Sequence, residues 1–210
     1  MELIAVKLCD TIETNAYFYI DEQTKHGFLI DPAAEPQKLQ KIITEQNWII
    51  EKMLITHGHF DHIGAVKYLH ENLGIPYFAH EEAKKYLPNS QWNLSNWGSQ
   101  NIVLNEANYL KDGDDIILGT NNKIRLKVIA TPGHTKDGVV YYDADNRIAF
   151  VGDSIFKDSE GRTDLYGGDW AELQNSIRNK ILTLPDEVIL YSGHSEPTMV
   201  KKEKVRYGLL

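Results

Sequence analysis

One cysteine, Cys9, is the only one in the chain. An internal disulfide is therefore excluded, and so is a cysteine-rich structural zinc site. A lone thiol suits a reducing compartment. No apolar run reaches the roughly 20 residues that a bilayer-spanning helix needs. The first ten residues, MELIAVKLCD, have neither the basic region nor the apolar segment of a secretory signal. These absences make a cytoplasmic protein without a membrane partner the expectation. An excess of positive charge is missing too: 22 Lys and Arg face 30 Asp and Glu, for a formal charge of −8. That disfavours a nucleic-acid partner, whose phosphates select basic surfaces. No repeat of fixed period is present. What remains is an ordinary globular balance over 210 residues, 42% hydrophobic and 25% charged. It predicts one domain over residues 1–210.

Short apolar segments alternate with amphipathic ones. LIAVKLC, NAYFYI and GFLIDP read as strands. Cys9, at the end of the first, is expected to be a buried thiol without a chemical role. Leu39, Ile42 and Ile43 recur at helical spacing after Pro36, and Val66, Leu69 and Leu73 predict one helix from about Ile63 to Asn72, stopped by Gly74. EKMLITH reads as a buried strand that delivers His57 at its end. Residues 88–108 have no clear period and carry Trp92 and Trp97, which predicts an ordered loop. KIRLKVIAT, GVVYYD and RIAFVGD follow as three β-rich segments, then a helix around Leu173 and Ile177, then the strand EVILYSGH. The class is α/β, with too many strands in tandem for a simple doubly wound sheet.

The chemistry concentrates at residues 56–64, THGHFDHIG, where three of the chain's eight histidines and an aspartate fall within six positions. His57, His59, Asp61 and His62 offer neutral imidazole nitrogens and a hard carboxylate, a set suited to zinc, iron or manganese. In a tight turn leaving a strand, positions i, i+2, i+4 and i+5 can splay toward two neighbouring points, so four ligands could serve two ions. Three later strand ends add TPGHT with His134, FVGDS with Asp153 and YSGHS with His194. Each brings one ligand from a rigid support. Thr56, Thr131 and Thr135 are candidates to fix the imidazoles by hydrogen bonds. His26, read in a turn, His70, on a helix, and His80, at a strand end, have no ligand spacing and read as surface or capping residues.

HGHFDH, TPGHT, FVGDSIF, GRTDLYGGD and SGH together resemble the motif set of the metallo-β-lactamase superfamily. Within it, the likeness is to short bacterial members of the glyoxalase II (hydroxyacylglutathione hydrolase) group. The resemblance implies an αββα four-layer sandwich with metals at one edge of the packed sheets. It also implies a division of ligands, with His57, His59 and His134 on one ion, Asp61, His62 and His194 on the other, and Asp153 bridging. Two departures stand out. Lys136 and Asp137 follow TPGHT where proline and small residues are common, and Tyr166 stands where proline is usual. The chain ends 16 positions after His194, so the C-terminal helical domain that binds glutathione in long members is not expected, and glutathione specificity is not carried over. Glu203 is expected to be structural.

The expected cofactors are two divalent ions, zinc foremost, with iron and manganese as alternatives. The expected substrate is a small-molecule thioester or ester, attacked by a hydroxide shared between the ions. Two dications with Asp61, Asp153 and that hydroxide leave a net charge of about plus one, which would polarise a carbonyl. Asp61 could also orient the hydroxide or pass a proton. Arg162, Lys136, Trp92 and Trp97 are the candidate substrate contacts, with Arg162 expected to pair with Asp164. Rival readings are a mononuclear iron dioxygenase acting on a sulfur substrate, which uses a similar first motif, and a non-catalytic metal-binding module.

Overall fold

In the computed structural model, which describes Met1–Leu210, the strands form two six-stranded sheets. The first holds β1 (Glu2–Cys9), β2 (Glu13–Ile20), β3 (His26–Ile30), β4 (Ile49–Leu54), β5 (Tyr77–His80) and β6 (Asn108–Leu110), side by side in chain order. Its first three strands are antiparallel neighbours, and β3 to β6 run parallel. Parallel neighbours need crossovers. Two of them are α-helical: α1 (Pro36–Glu45) between β3 and β4, and the pair α2 (Phe60–Ile63) and α3 (Val66–Leu73) between β4 and β5. The second sheet uses β7 (Asp115–Leu118), β8 (Asn121–Ala130), β9 (Val139–Asp143), β10 (Ile148–Gly152), β13 (Ile189–Ser192) and β14 (Thr198–Met199). Their order is β14-β13-β10-β9-β8-β7. A hairpin of β11 (Ile155–Phe156) and β12 (Ser159–Glu160) stands apart, while α4 (Trp170–Asn179) and α5 (Val200–Arg206) complete the chain.

Three separate buried clusters define four layers. Tyr19, Phe28 and Ile30 of the first sheet meet Leu126, Tyr141 and Phe150 of the second in a core between the sheets. A second cluster joins the other face of the first sheet, through Phe18 and Leu29, to Leu39 of α1 and Leu69 of α3. The third joins Ala149 and Leu190 to Leu173 and Ile177 of α4. Each sheet thus buries both faces, one on the other sheet and one on helices, as the αββα expectation requires. Side chains of this size stabilise by about 1.5–3 kcal/mol each when fully buried. No helix is long and apolar enough to cross a membrane.

Three sequence expectations need correction. Cys9 is exposed, not buried. It ends an edge strand on which Leu8 is the one buried residue, so no layer covers it. The helix expected over 63–72 is two helices. At Gly64 a Cβ would collide with the Ala33 carbonyl, and the Ala65 N–H donates outside the helix to the Pro32 carbonyl (2.8 Å). That tight approach to the β3–α1 turn breaks the run. His26, read in a turn, opens β3 and pairs its Nδ1 with Glu51 at 2.9 Å.

The direction of the strands gathers their ends. β10 and β13 are parallel, and β8 is antiparallel to β9, which is antiparallel to β10. β8, β10 and β13 therefore finish at one edge, beside the end of β4. There the sheets are tied by backbone bonds, from the Asn15 N–H to the Gly193 carbonyl (2.7 Å) and from the Val139 N–H to the Thr56 carbonyl (2.9 Å).

Candidate metal centre

At this shared edge seven side chains converge. His57 Nε2 lies 3.2 Å from His59 Nδ1, and His134 Nε2 lies 3.0 Å from the same His59 atom. Tetrahedral ligands about 2.0–2.1 Å from one ion stand about 3.3 Å from each other, so these spacings suit three ligands of one cation. Beside them, His194 Nε2 lies 3.1 Å from Asp61 Oδ2 and 3.2 Å from Asp153 Oδ2. His62 Nε2 lies 3.4 Å from Asp153 Oδ1 and 3.7 Å from Asp61 Oδ2. Asp153 stands between the groups, since its Oδ2 is also 3.7 Å from His134 Nε2. Candidate ligand atoms fall into three overlapping sets, His57–His59–His134, His57–His62–Asp153 and Asp61–His62–His194, each within 4.8 Å. The crowding explains the glycine before His194. A Cβ at Gly193 would collide with the Asp153 carboxylate and the His62 ring.

Hydrogen bonds set which imidazole nitrogen faces inward. Nδ1–H of His57 points at Thr56 Oγ1 (3.2 Å), that of His62 at Asp31 Oδ2 (2.9 Å), that of His134 at the Arg162 carbonyl (2.7 Å) and that of His194 at the Glu13 carbonyl (2.9 Å). Each acceptor engages Nδ1 and turns Nε2 to the centre. His59 is the exception and presents Nδ1. Buried His62 Nε2 and Asp153 Oδ1 have no hydrogen-bond partner, a costly state unless a further group answers them. A cation fits that demand, and the donor set of five imidazoles and two carboxylates fits a borderline divalent metal.

Titration differs sharply across the centre. Burial and the neighbouring imidazoles hold His57 well below the ordinary histidine value, and burial with His134 lowers His59 to about 3. His134 is lowered as well, chiefly by burial. His62 goes the other way: burial opposes its charge, but Asp153, Asp31 and Asp61 hold it well above the ordinary value. Burial is likewise overcome at His194, where Asp153 and Asp61 raise it to about 10.

A cavity of about 440 Å³ opens over the centre, lined by His59, Asp61, His134, Asp153 and His194 at its floor. Trp97 and Arg162 line it also, whereas Lys136 and Trp92 do not. Lys136 pairs with Glu172 at 2.6 Å, and Trp92 stacks on Tyr166 with centroids 5.8 Å apart. Arg162 is held by Asp164 through two bonds of 2.7 and 2.8 Å. Asp137 lies buried behind the floor, its carboxyl pushed up to about 7 by burial, and accepts the Gly58 N–H (2.8 Å). Thr131 Oγ1 meets Ser154 Oγ at 2.9 Å, not an imidazole. Among the other histidines, His70 Nδ1 bonds the Ile75 carbonyl, and His80 accepts the Glu82 N–H at a helix start. Glu203 is buried and accepts from Thr198 (2.7 Å) and Arg206 (2.8 Å).

Sequence reasoning missed Asp31. Its Oδ1 accepts the Thr56 N–H (2.8 Å), and its Oδ2 accepts both the Thr56 hydroxyl (2.7 Å) and His62. The available signal was its place at the end of the strand GFLIDP, the same kind of position that delivers the ligands.

A His/Asp cluster of this make-up, at the common edge of an αββα sandwich, defines the class of the metallo-hydrolases, whose fold carries divalent metals. The chain belongs to the metallo-beta-lactamase superfamily, whose family description matches residues 10–194. It is 36% identical over 195 residues to the probable metallo-hydrolase YqgX of Bacillus subtilis, covering 92% of this chain and 90% of that one. It is 32% identical over 186 residues to the hydroxyacylglutathione hydrolase GloC of Haemophilus influenzae, covering 87% and 86%. Among solved structures, the BLEG-1 B3 metallo-beta-lactamase superposes with a TM-score of 0.90 at 33% identity, covering 97% of each chain. TTHA1623 in a di-iron-bound form gives 0.83 at 31% identity, covering 95% and 96%.

Proposed function

We propose that this chain is a binuclear metal-dependent hydrolase of small thioesters or esters, of the hydroxyacylglutathione hydrolase kind, folded as one catalytic domain. The observation that carries the reading is the two ligand groups on either side of Asp153 on the floor of an open cavity. His57, His59 and His134 would hold one ion, and Asp61, His62 and His194 the other, with Asp153 between them. Zinc is the first choice for this donor set, and the di-iron relative keeps iron in view. Bound there, divalent ions supply Lewis acidity toward a carbonyl and lower the pKa of water from 15.7 to about 7.

The chain's own groups do the rest. Asp61 Oδ2 is engaged by Thr14 Oγ1 (3.5 Å) and His194 (3.1 Å). Its carboxylate also lines the cavity, where its other oxygen can orient an attacking water and take its proton. Asp31, Thr56 and the carbonyls of Glu13 and Arg162 keep the imidazoles with Nε2 turned inward. Water adds to the acyl carbon, the C–S or C–O bond breaks, and the departing thiolate or alkoxide takes a proton. No serine or cysteine nucleophile is required, and Cys9 is not among the residues lining the cavity.

Metal-loaded protein assayed on S-lactoylglutathione, simple thioesters, esters and lactones tests this. Thioester turnover lost on chelation and restored by metal supports it, and no turnover across the panel refutes it. A second reading, β-lactam hydrolysis, draws on the likeness to the B3 enzyme. Hydrolysis of a chromogenic cephalosporin at least as efficient as that of the best thioester would favour it.

A further inference from the structure

Apart from the seven converging side chains, the cavity wall is almost wholly apolar. Ile12, Phe60, Leu94, Trp97, Phe156 and Leu165 line it, with Glu160 and Arg162 as the only polar additions. Both of these are answered by neighbours: Arg162 by the two-point bond to Asp164, and Glu160 by Arg206 (2.6 Å) and the Tyr207 hydroxyl (3.1 Å). The wall's one cation, Arg162, thus already has a carboxylate partner. Meanwhile Trp97 is 60% exposed and Ile12 45% exposed at the cavity. Large apolar groups grouped around a pocket in this way mark where an apolar ligand gains by burial.

The wall is also built as a unit. Ile12 lies in the β1–β2 turn and Trp97 in the 88–107 loop, and these are latched by Ser99, whose N–H and hydroxyl both donate to Asp10 Oδ2 (3.3 and 2.8 Å). The same loop seats Leu94 through Asn93, buried and bonded to the Ile102 carbonyl (3.0 Å). The latch holds the two exposed apolar groups on one opening.

We propose that the preferred substrate is a thioester with an apolar acyl part, straight-chain or aryl, and that specificity comes from this acyl wall and not from recognition of an anionic thiol carrier. The inference rests on the hydrolase reading above. Water replaces the thiolate at the acyl carbon, so a fatty or aryl carboxylic acid and a free thiol leave the site.

The test uses the metal-loaded protein and acyl thioesters of the uncharged thiol N-acetylcysteamine, from acetyl to octanoyl and benzoyl, beside the same acyl groups on glutathione. kcat/KM should rise about threefold per methylene until the wall is filled, and exchanging the carrier at a fixed acyl group should change it by less than about threefold. Ile12→Asp and Trp97→Ala should each cut the octanoyl-to-acetyl ratio about tenfold. Calorimetry with the non-hydrolysable thioether S-octyl-N-acetylcysteamine should show binding with a negative heat-capacity change, weakened in both variants. A flat acyl series, or a tenfold or greater gain from the glutathione carrier, overturns the acyl-wall inference while leaving the hydrolase reading intact. Absence of turnover on every thioester overturns both.

Discussion

Two groups of histidines lie side by side in this protein and behave as opposites. His57, His59 and His134 press imidazole against imidazole in a buried place, and all three are held in the neutral form. His62 is just as buried and His194 is exposed, yet carboxylates push both toward the protonated form, raising His62 well above the ordinary value and His194 to about 10. Residue type does not decide the charge; the company of Asp31, Asp61 and Asp153 does. The first group offers lone pairs ready for a cation. The second keeps protons where a cation would sit, so binding there must displace them.

The comparison breaks most completely at Asp153, which touches both groups. Asp153→Ala should reduce occupancy of both ions and lower kcat/KM by about 10³-fold, read by elemental analysis and a thioester assay. Retention of both metals at full affinity would show the groups to be independent. Asp31→Asn is the sharper instrument. An amide nitrogen facing His62 cannot accept its Nδ1–H, so metal affinity on the carboxylate-bearing side should fall about 10–100-fold. Competitive titration should then show the His62-side equivalent weakened most, with a smaller loss at the other, which Asp31 reaches only through Thr56 and His57.

Acid should separate the groups without mutation. The raised values of His62 and His194 mean that a metal must displace protons more firmly held there, so metal affinity on that side falls as pH falls. The depressed value of His59, about 3, leaves the imidazole group neutral through the same range. Dialysis from pH 8 to about 5.5 should therefore release one metal equivalent well before the second. Simultaneous release would contradict the contrast. The smallest effect belongs to His26→Ala, outside both groups. Loss of its bond to Glu51 should cost about 1 kcal/mol of stability, seen as a lower denaturation midpoint, with metal content unchanged.

Much of this was legible in the amino-acid order because strand ends repeat a local signature. An apolar run, a glycine and then His or Asp occurs at His134, Asp153 and His194, and HGHFDH follows β4 directly. The αββα arrangement followed from resemblance to a family, since periodicity alone gave only mixed α/β. Asp31 stayed hidden because its role arises from pairing across chain distance. Parallel β3 and β4, with Ile30 opposite Leu54, bring it beside Thr56 from 25 positions away. Cys9 was misread because an apolar strand pattern says nothing about whether a strand lies at the edge of its sheet. The break at Gly64 was invisible for a similar reason, as its cause is the Ala33 carbonyl of a different turn.

The claim beneath all of this is that two cations sit side by side over one shared aspartate. Anomalous diffraction from crystals grown with ample metal, recorded on both sides of the metal's absorption edge, addresses it directly. Two peaks are expected, one among His57, His59 and His134 and one among Asp61, His62 and His194, with Asp153 reaching both. A lone peak, or none, in metal-replete crystals would contradict the account.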